Sequence, residues 1–250
     1  MFKRVAALYD IHGNLPALEA VLRDVLVEDV DLVVVGGDVL PGPIVGETID
    51  RLLSLDIPTR FIQGNGDREV LAKKARLETR ALPEAIGEMI RWVAEHLRPE
   101  DERLLASWPA TLGVPVLGIG DVLFVHATPE NDTDIFTQLT AEARLRPLFD
   151  PLEVPLVVCG HTHMQFDRTV GAVRVVNAGS VGMPFDEPGA YWLLLGPDVE
   201  LRHTRYDLQA AAERVRATNY PQAEEFASRN ILQPPSKADT LKAFAAYELK

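Results

Sequence analysis

The chain has 250 residues, 47% of them hydrophobic, one cysteine and a formal net charge of −12. That is enough for one sizeable core with a small helical annex. The interspersed charges exclude a disordered chain, and the acidic balance argues against a protein that grips duplex nucleic acid while leaving room for a small phosphorylated ligand.

No apolar run reaches the roughly 18 residues of a membrane span. The opening segment MFKRVAALYD lacks the pattern of a secretory leader, and the lone Cys159, inside an apolar run, reads as a buried thiol. A cytoplasmic location is expected, because a single cysteine fits a reducing compartment.

RVAALYD is a short apolar run that ends in Asp10 and predicts a strand. A turn at IHGN leads into helical periodicity over 15–26. DLVVVGGD predicts a strand buried on both faces, ETIDRLLSL a helix, and TRFIQGNGD a strand with its exit loop. Alternating strands and helices imply right-handed crossovers and a sheet that is at least partly parallel.

Residues 68–108 are rich in Ala, Leu, Glu and Arg and predict helices at 69–80, 83–97 and 100–107. The basic concentration within them, Arg68, Lys73, Lys74, Arg76 and Arg80, reads first as a solvated helix face. TLGVPVLGIGDVLFVHA predicts a hairpin with Gly118 and Gly120 at its turn, followed by a helix at 140–149. PLVVCGH, QFDRTV, VRVVNAG, AYWLLLG and VELRHTRY predict strands. After Tyr206 come helices at 207–217, 220–229 and 236–248, interrupted by Pro234-Pro235. The expected organisation is a main domain over 1–206, with 68–108 as an insertion, and C-terminal helices over 207–250 packed on or beside it.

Polar residues gather where strands end. Asp10 and His12 follow the first run, Asp38 the second, and Asn65 and Asp67 the third. His126 follows VLFV, and His161 and His163 follow LVVC. Open α/β sheets bind ligands beyond the carboxyl ends of their strands, so five loops bring metal-ligand residue types to one rim. Two carboxylates, four imidazoles and one amide suit Mn, Fe, Zn, Ni or Co better than Ca or Mg. Seven side chains are too many for one such ion and suit two, with one carboxylate shared. A pair of ions about 3.5–4 Å apart is the usual clamp for attack on phosphorus, and neutral ligands keep the field positive for an anionic substrate. Taken singly, Asp10 reads as a helix cap, Asp38 as a turn residue, Asn65 as a left-handed turn position and each histidine as a core residue. It is their order along the chain that carries the metal reading.

That order, YDIHGN, GGDVL, QGNGD, FVHATP and GHTHM, resembles the calcineurin-like metallophosphoesterase superfamily. The block NAGSVGMPFDEPGAYWLLL and the stretch YDLQAAAERVRATNYP are similar to the small bacterial and archaeal predicted phosphodiesterases of that superfamily. The likeness covers roughly 3–220, less the insertion. It implies an α/β fold of four α/β/β/α layers built on two mixed sheets. It also implies that Asp10, His12, Asp38 and His163 hold one metal and that Asp38, Asn65, His126 and His161 hold the other, with Asp38 bridging. Side chains at i and i+2 of an extended segment share a face, which lets His161 and His163 serve two neighbouring ions.

The implied activity is a metal-dependent phosphoesterase, most simply a phosphodiesterase, using a metal-activated hydroxide and two divalent ions, manganese foremost. Asp38, Asn65 and His126 are its candidate catalytic residues. Asn14 and Arg68 are candidate substrate contacts, Asn14 being equally a helix cap. The substrate would be a small phosphoester or nucleotide.

One departure stands out. The superfamily places at position 66 a histidine that touches the phosphate and protonates the leaving oxygen, and here it is Gly66. General acid help is worth about 10²–10⁴-fold, so diesters with good leaving groups are the expected substrates. Asp67, which would orient that histidine, is left for a turn or a supporting hydrogen bond, and His96 is a candidate substitute acid. The insertion is a candidate lid, with Arg68, Lys73 or Arg76 reaching the substrate. Gly66 leaves open a protein-binding scaffold with a vestigial site. A dinucleoside polyphosphatase or protein phosphatase usually keeps the full histidine motif.

Overall fold

The computed structural model describes residues 1–77 and 82–249. The helix expected at 69–80 ends at Lys74, and the last residues of that expectation, 78–80 with Arg80, lie outside the described ones. Among the described residues ten strands form two five-stranded sheets. The first has the order β10-β9-β1-β2-β3, from β1 (Val5–Leu8), β2 (Leu32–Val35), β3 (Thr59–Phe61), β9 (Ala190–Leu195) and β10 (Val199–Thr204). The second has the order β4-β5-β6-β8-β7, from β4 (Thr111–Val116), β5 (Gly120–Val125), β6 (Leu156–Cys159), β7 (Phe166–Val170) and β8 (Val173–Asn177). Each sheet has three parallel strands, β1, β2 and β3 or β5, β6 and β8, and its other two pair antiparallel.

The strands are apolar throughout because both faces of the sheets are covered. Val5, Ala7, Leu32 and Val34 of the first sheet meet Val122, Phe124, Leu156 and Val158 of the second between the layers. The alternate residues Ala6, Leu8, Val33 and Val35 pack outward against α1 (Leu15–Val27) and α2 (Val45–Leu53). On the far side Val157, Cys159 and Val175 pack against α6 (Glu142–Phe149), so Cys159 is a core thiol. The layers are therefore helix, sheet, sheet, helix, as expected.

The insertion and the C-terminal helices are not satellites. Ile90 and Val93 of α4 (Glu84–His96), Leu105 of α5 (Pro99–Ala106), and Ala212 and Val215 of α7 (Leu208–Arg216) belong to the same apolar cluster as α1. The helix expected at 220–229 is a short α8 (Ala223–Phe226) that runs into a π-helix, Ala227–Leu232. Beyond it α9 (Lys237–Phe244) crosses to the second sheet, where Lys237 Nζ donates to Gln165 O at 2.7 Å and Leu249 N to Ile135 O at 3.0 Å. The C-terminal segment thus straps one helical face to the other across the strand ends.

The third β-exit also differs from expectation. It becomes helix α3 (Asn65–Lys74) at once, with Asn65 and Gly66 in its first turn. Gly64 is extended, and the Asp67 carboxylate accepts its N–H at 3.1 Å, which closes the helix start.

Tyr9 joins the two sheets. Its ring is fully buried and its hydroxyl donates to Val158 O at 3.0 Å. Gly36 and Gly160 lie so close to the ring that an added Cβ would stand 2.1 and 2.4 Å from it. Tyr9→Phe keeps the packing and removes one buried hydrogen bond, so it should cost about 1 kcal/mol. Urea unfolding would show this as a lower midpoint with an unchanged slope.

Candidate metal centre

All seven predicted ligands follow parallel strands and meet at one rim. Asp10 and His12 leave β1, Asp38 leaves β2, Asn65 follows β3, His126 follows β5, and His161 and His163 leave β6. The turns that aim them are strained. Among the described residues seven non-glycine positions have positive φ, and five are these ligands: Asp10 (52°), His12 (48°), Asp38 (51°), His161 (65°) and His163 (58°). Left-handed backbone at a residue with a Cβ costs about 1–3 kcal/mol and gathers at functional sites. Here it turns each side chain back over the strand end.

The ligand atoms form two groups. Asp10, His12 and His163 offer atoms within 4.8 Å of one another, as do Asp38, His126 and His161. Asp38 Oδ2 lies between them, 3.8 Å from His12 Nε2 and 3.5 Å from His126 Nε2. Asn65 Oδ1 is 3.1 Å from His126 Nε2. Turned over, the Asn65 amide would place its nitrogen 2.9 Å from His161 Nδ1, so one orientation suits hydrogen bonding and the other a cation.

Supporting contacts point the donors inward. Nδ1 of His12 faces Pro41 O at 3.1 Å, that of His126 faces Gly36 O at 3.0 Å, and that of His163 faces Met183 O at 2.7 Å. A carbonyl only accepts, so these nitrogens carry hydrogen and each neutral ring presents its Nε2 lone pair to the interior. His12 Nε2 and His163 Nε2 stand 3.3 Å apart. Asp38 spends Oδ1 on Gly66 N at 2.7 Å, and Asp10 spends Oδ2 on His161 N at 2.9 Å. Asp10 Oδ1 is buried and accepts no hydrogen bond. Facing lone pairs beside an orphaned carboxylate oxygen are what a cation satisfies, and the mixed N/O donor set fits a divalent transition metal.

The electrostatics agree. Burial alone would raise both carboxylates, yet Asp10 is held below its usual range chiefly by His163, and Asp38 chiefly by His126. Burial lowers His12, and burial with the neighbouring His126 lowers His161 to about 4, so both rings are neutral ligands at pH 7. His126 rises to about 10 against its burial because Asp38 and Asp10 draw positive charge into the cluster. A divalent ion supplies that charge and frees the ring nitrogen to bind it.

The remaining predicted residues fare differently. Asn14 is fully buried; its carboxamide donates to Gly182 O at 2.9 Å and accepts from Ala17 N at 3.3 Å, so it caps α1 and is not placed to touch substrate. Arg68 forms a two-pronged pair with Asp132, at 2.7 and 2.8 Å, in a cleft on the His126 side. Lys73 and Arg76 are exposed and do not line the cavity that opens from the metal ligands. His96 stacks on Trp92 with ring centroids 4.0 Å apart, in a cleft lined by neither metal-ligand group, so it is not placed to act at the metal rim. Asp67 takes the supporting hydrogen bonds expected of it, accepting from Asp38 N at 2.9 Å, Leu40 N at 3.0 Å and Gly64 N. It therefore pins the bridging-ligand loop to α3. Burial and the Asp38 charge push it up to about 8 against those three donors.

Sequence reasoning missed the clamps on the last loop. Asn177 donates to Gly160 O at 2.6 Å and to Thr162 Oγ1 at 3.1 Å, and Ser180 Oγ donates to Asp10 O at 2.7 Å. Both lie in NAGSVGM, a block noticed for its likeness and given no role. An apolar strand ending in a polar, glycine-containing turn beside the ligand loops was the available signal.

The fold and the ligand set define a two-sheet α/β sandwich with a metal-binding rim. The chain belongs to the calcineurin-like phosphoesterase superfamily, whose domain model matches residues 4–197. It is 26% identical over 238 residues to an uncharacterized protein of Methanocaldococcus jannaschii, covering 87% of this chain and 94% of that one. A hypothetical protein from Pyrococcus horikoshii OT3 superposes with a TM-score of 0.78 at 22% identity, over 93% of this chain and 99% of that one. A metallophosphoesterase from Sphaerobacter thermophilus superposes with a TM-score of 0.69 at 24% identity, over 91% and 98%. No described helix is long and apolar enough to cross a membrane.

Gly66 is fixed by its surroundings. A Cβ there would stand 2.4 Å from Leu40 O, 2.9 Å from Pro41 Cδ and 3.0 Å from Asp38 Oδ1. The Leu40-Pro41 backbone holds the space, and Pro41 O in turn orients His12. Gly66→Ala should destabilise the protein by about 1–3 kcal/mol. It should also weaken metal binding, which urea unfolding and a metal titration would report together.

Proposed function

We propose that the protein is a phosphodiesterase that works with two divalent metal ions, manganese foremost. The observation that carries this reading is Asp38 Oδ2 lying between the two ligand groups. Asp10, His12, Asp38 and His163 would hold one ion, and Asp38, Asn65, His126 and His161 the other. Bound there, the ions supply Lewis acidity toward the phosphoryl oxygens and an activated water.

The protein's own part is positioning. Asp67 and Gly66 N fix the bridging carboxylate, Asn177 and Ser180 fix the loops on either side of it, and three backbone carbonyls fix the imidazoles. No side chain at position 66 can protonate a leaving oxygen, and His96 is elsewhere. This supports diesters whose leaving group departs as a stable anion. Arg68 is committed to Asp132, which weighs against a polyphosphatase that would use it on a second phosphate. The lone core cysteine supports a cytoplasmic setting. A scaffold with a vestigial site would have no use for five strained ligand positions, so catalysis is the better reading.

With Mn²⁺ supplied, bis-p-nitrophenyl phosphate should be hydrolysed faster than p-nitrophenyl phosphate. Asp38→Asn, which keeps the shape and removes the bridging charge, should abolish turnover of both. Failure to hydrolyse either ester with metal bound would instead favour the scaffold.

A further inference from the structure

A cavity of about 380 Å³ opens directly from the metal ligands, with His12, Asp38 and Asn65 on its wall. Most of its other walls come from two segments outside the sheets, the insertion and the C-terminal strap. The insertion supplies Leu82, Ile86, Met89 and Ile90, and the C-terminal strap supplies Tyr220 and Phe226. Ile90, Tyr220 and Phe226 are buried at 3%, 4% and 3% exposure, whereas Ile86 is 37% exposed. The buried three form the floor, and the partly exposed Leu82, Ile86 and Met89 beside a charged centre cost free energy unless a ligand covers them.

Polar side chains are the minority on that wall. The carboxylates of Glu69 and Glu225 also line the cavity, and the Arg229 guanidinium lies 3.9 Å from Glu225. The Gln222 amide already donates to Ala85 O at 2.9 Å, tying the strap to the insertion. Chambers of this size with mostly apolar walls and a few polar groups at one end bind small organic ligands.

We propose that this cavity receives an apolar group of the substrate, so that the enzyme acts on phosphodiesters carrying a hydrophobic alkyl or aryl ester. This rests on the phosphoesterase reading of the adjoining metal centre. The insertion is then a specificity wall, built from aliphatic side chains where its sequence had suggested cationic ones. The π-helix, a distortion common at functional sites, sets Arg229 and Asn230 at the cavity edge.

The test is a series of p-nitrophenyl alkyl phosphodiesters, methyl, butyl and octyl, with the Mn²⁺-loaded protein. Burying a methylene is worth about 0.8 kcal/mol, so kcat/KM should climb by about 3- to 4-fold per carbon over the first few carbons. In Ile86→Gln/Met89→Gln the octyl-to-methyl ratio should fall toward one. A flat series in the wild type, or an undiminished ratio in the variant, overturns the proposal. Absence of turnover for every diester would sink the hydrolytic reading, and the cavity is then judged by binding. Methyl-, butyl- and octylphosphonate titrated into the metal-loaded protein should bind progressively more tightly, and equal affinities overturn the proposal.

Discussion

Two carboxylates, four imidazoles and one amide converge at the ends of five strands, and the rest of the molecule is arranged around that convergence. Asp10 and Asp38 are buried at 0% and 3% exposure, where an ionised carboxylate without compensation is untenable. Their environment keeps them ionised, and it does so by surrounding them with imidazoles whose lone pairs point the same way. Such a cluster is balanced by cations. The backbone strain at five ligand positions has the same origin: a strand running straight on would carry its side chains away from the rim.

Each layer outside the ligands has a matching task. The sandwich core sets the strand ends in register, and Tyr9, wedged under Gly36 and Gly160, ties the loop before Asp38 to the loop of His161 and His163. Asp67 binds the Asp38 loop to the start of α3, which also carries Asn65. Gly66 fits this tight arrangement. The space a histidine would enter from that position is held by the Leu40-Pro41 backbone, whose Pro41 carbonyl orients His12.

Much of this was legible in the sequence. Apolar runs such as LVVV and LVVC gave buried strands because both sheet faces are covered. The ligand residues stood out because each followed such a run. Left-handed backbone at Asp10 or His163 was not legible, since local propensity disfavours it and only the assembled site compels it. The helical start at Asn65 was hidden because its cap comes from Asp67 and from an extended glycine. Asn14 carried two roles in sequence, and burial against Gly182, a contact across 168 positions, selects the cap. The cations of the insertion, Lys73 and Arg76, face solvent as their first reading had it; what the sequence did not show is that the chamber is lined by the insertion's aliphatic residues. Which face of an insertion meets a site depends on long-range packing, here against the C-terminal strap.

The central claim is that Asp38 joins two neighbouring ions. The most direct measurement is electron paramagnetic resonance of the protein loaded with Mn²⁺ to saturation. Two ions about 3.5–4 Å apart and sharing a carboxylate interact magnetically, and the account predicts the multiline spectrum of a coupled pair. The simple hyperfine pattern of isolated Mn²⁺ at saturation would contradict it.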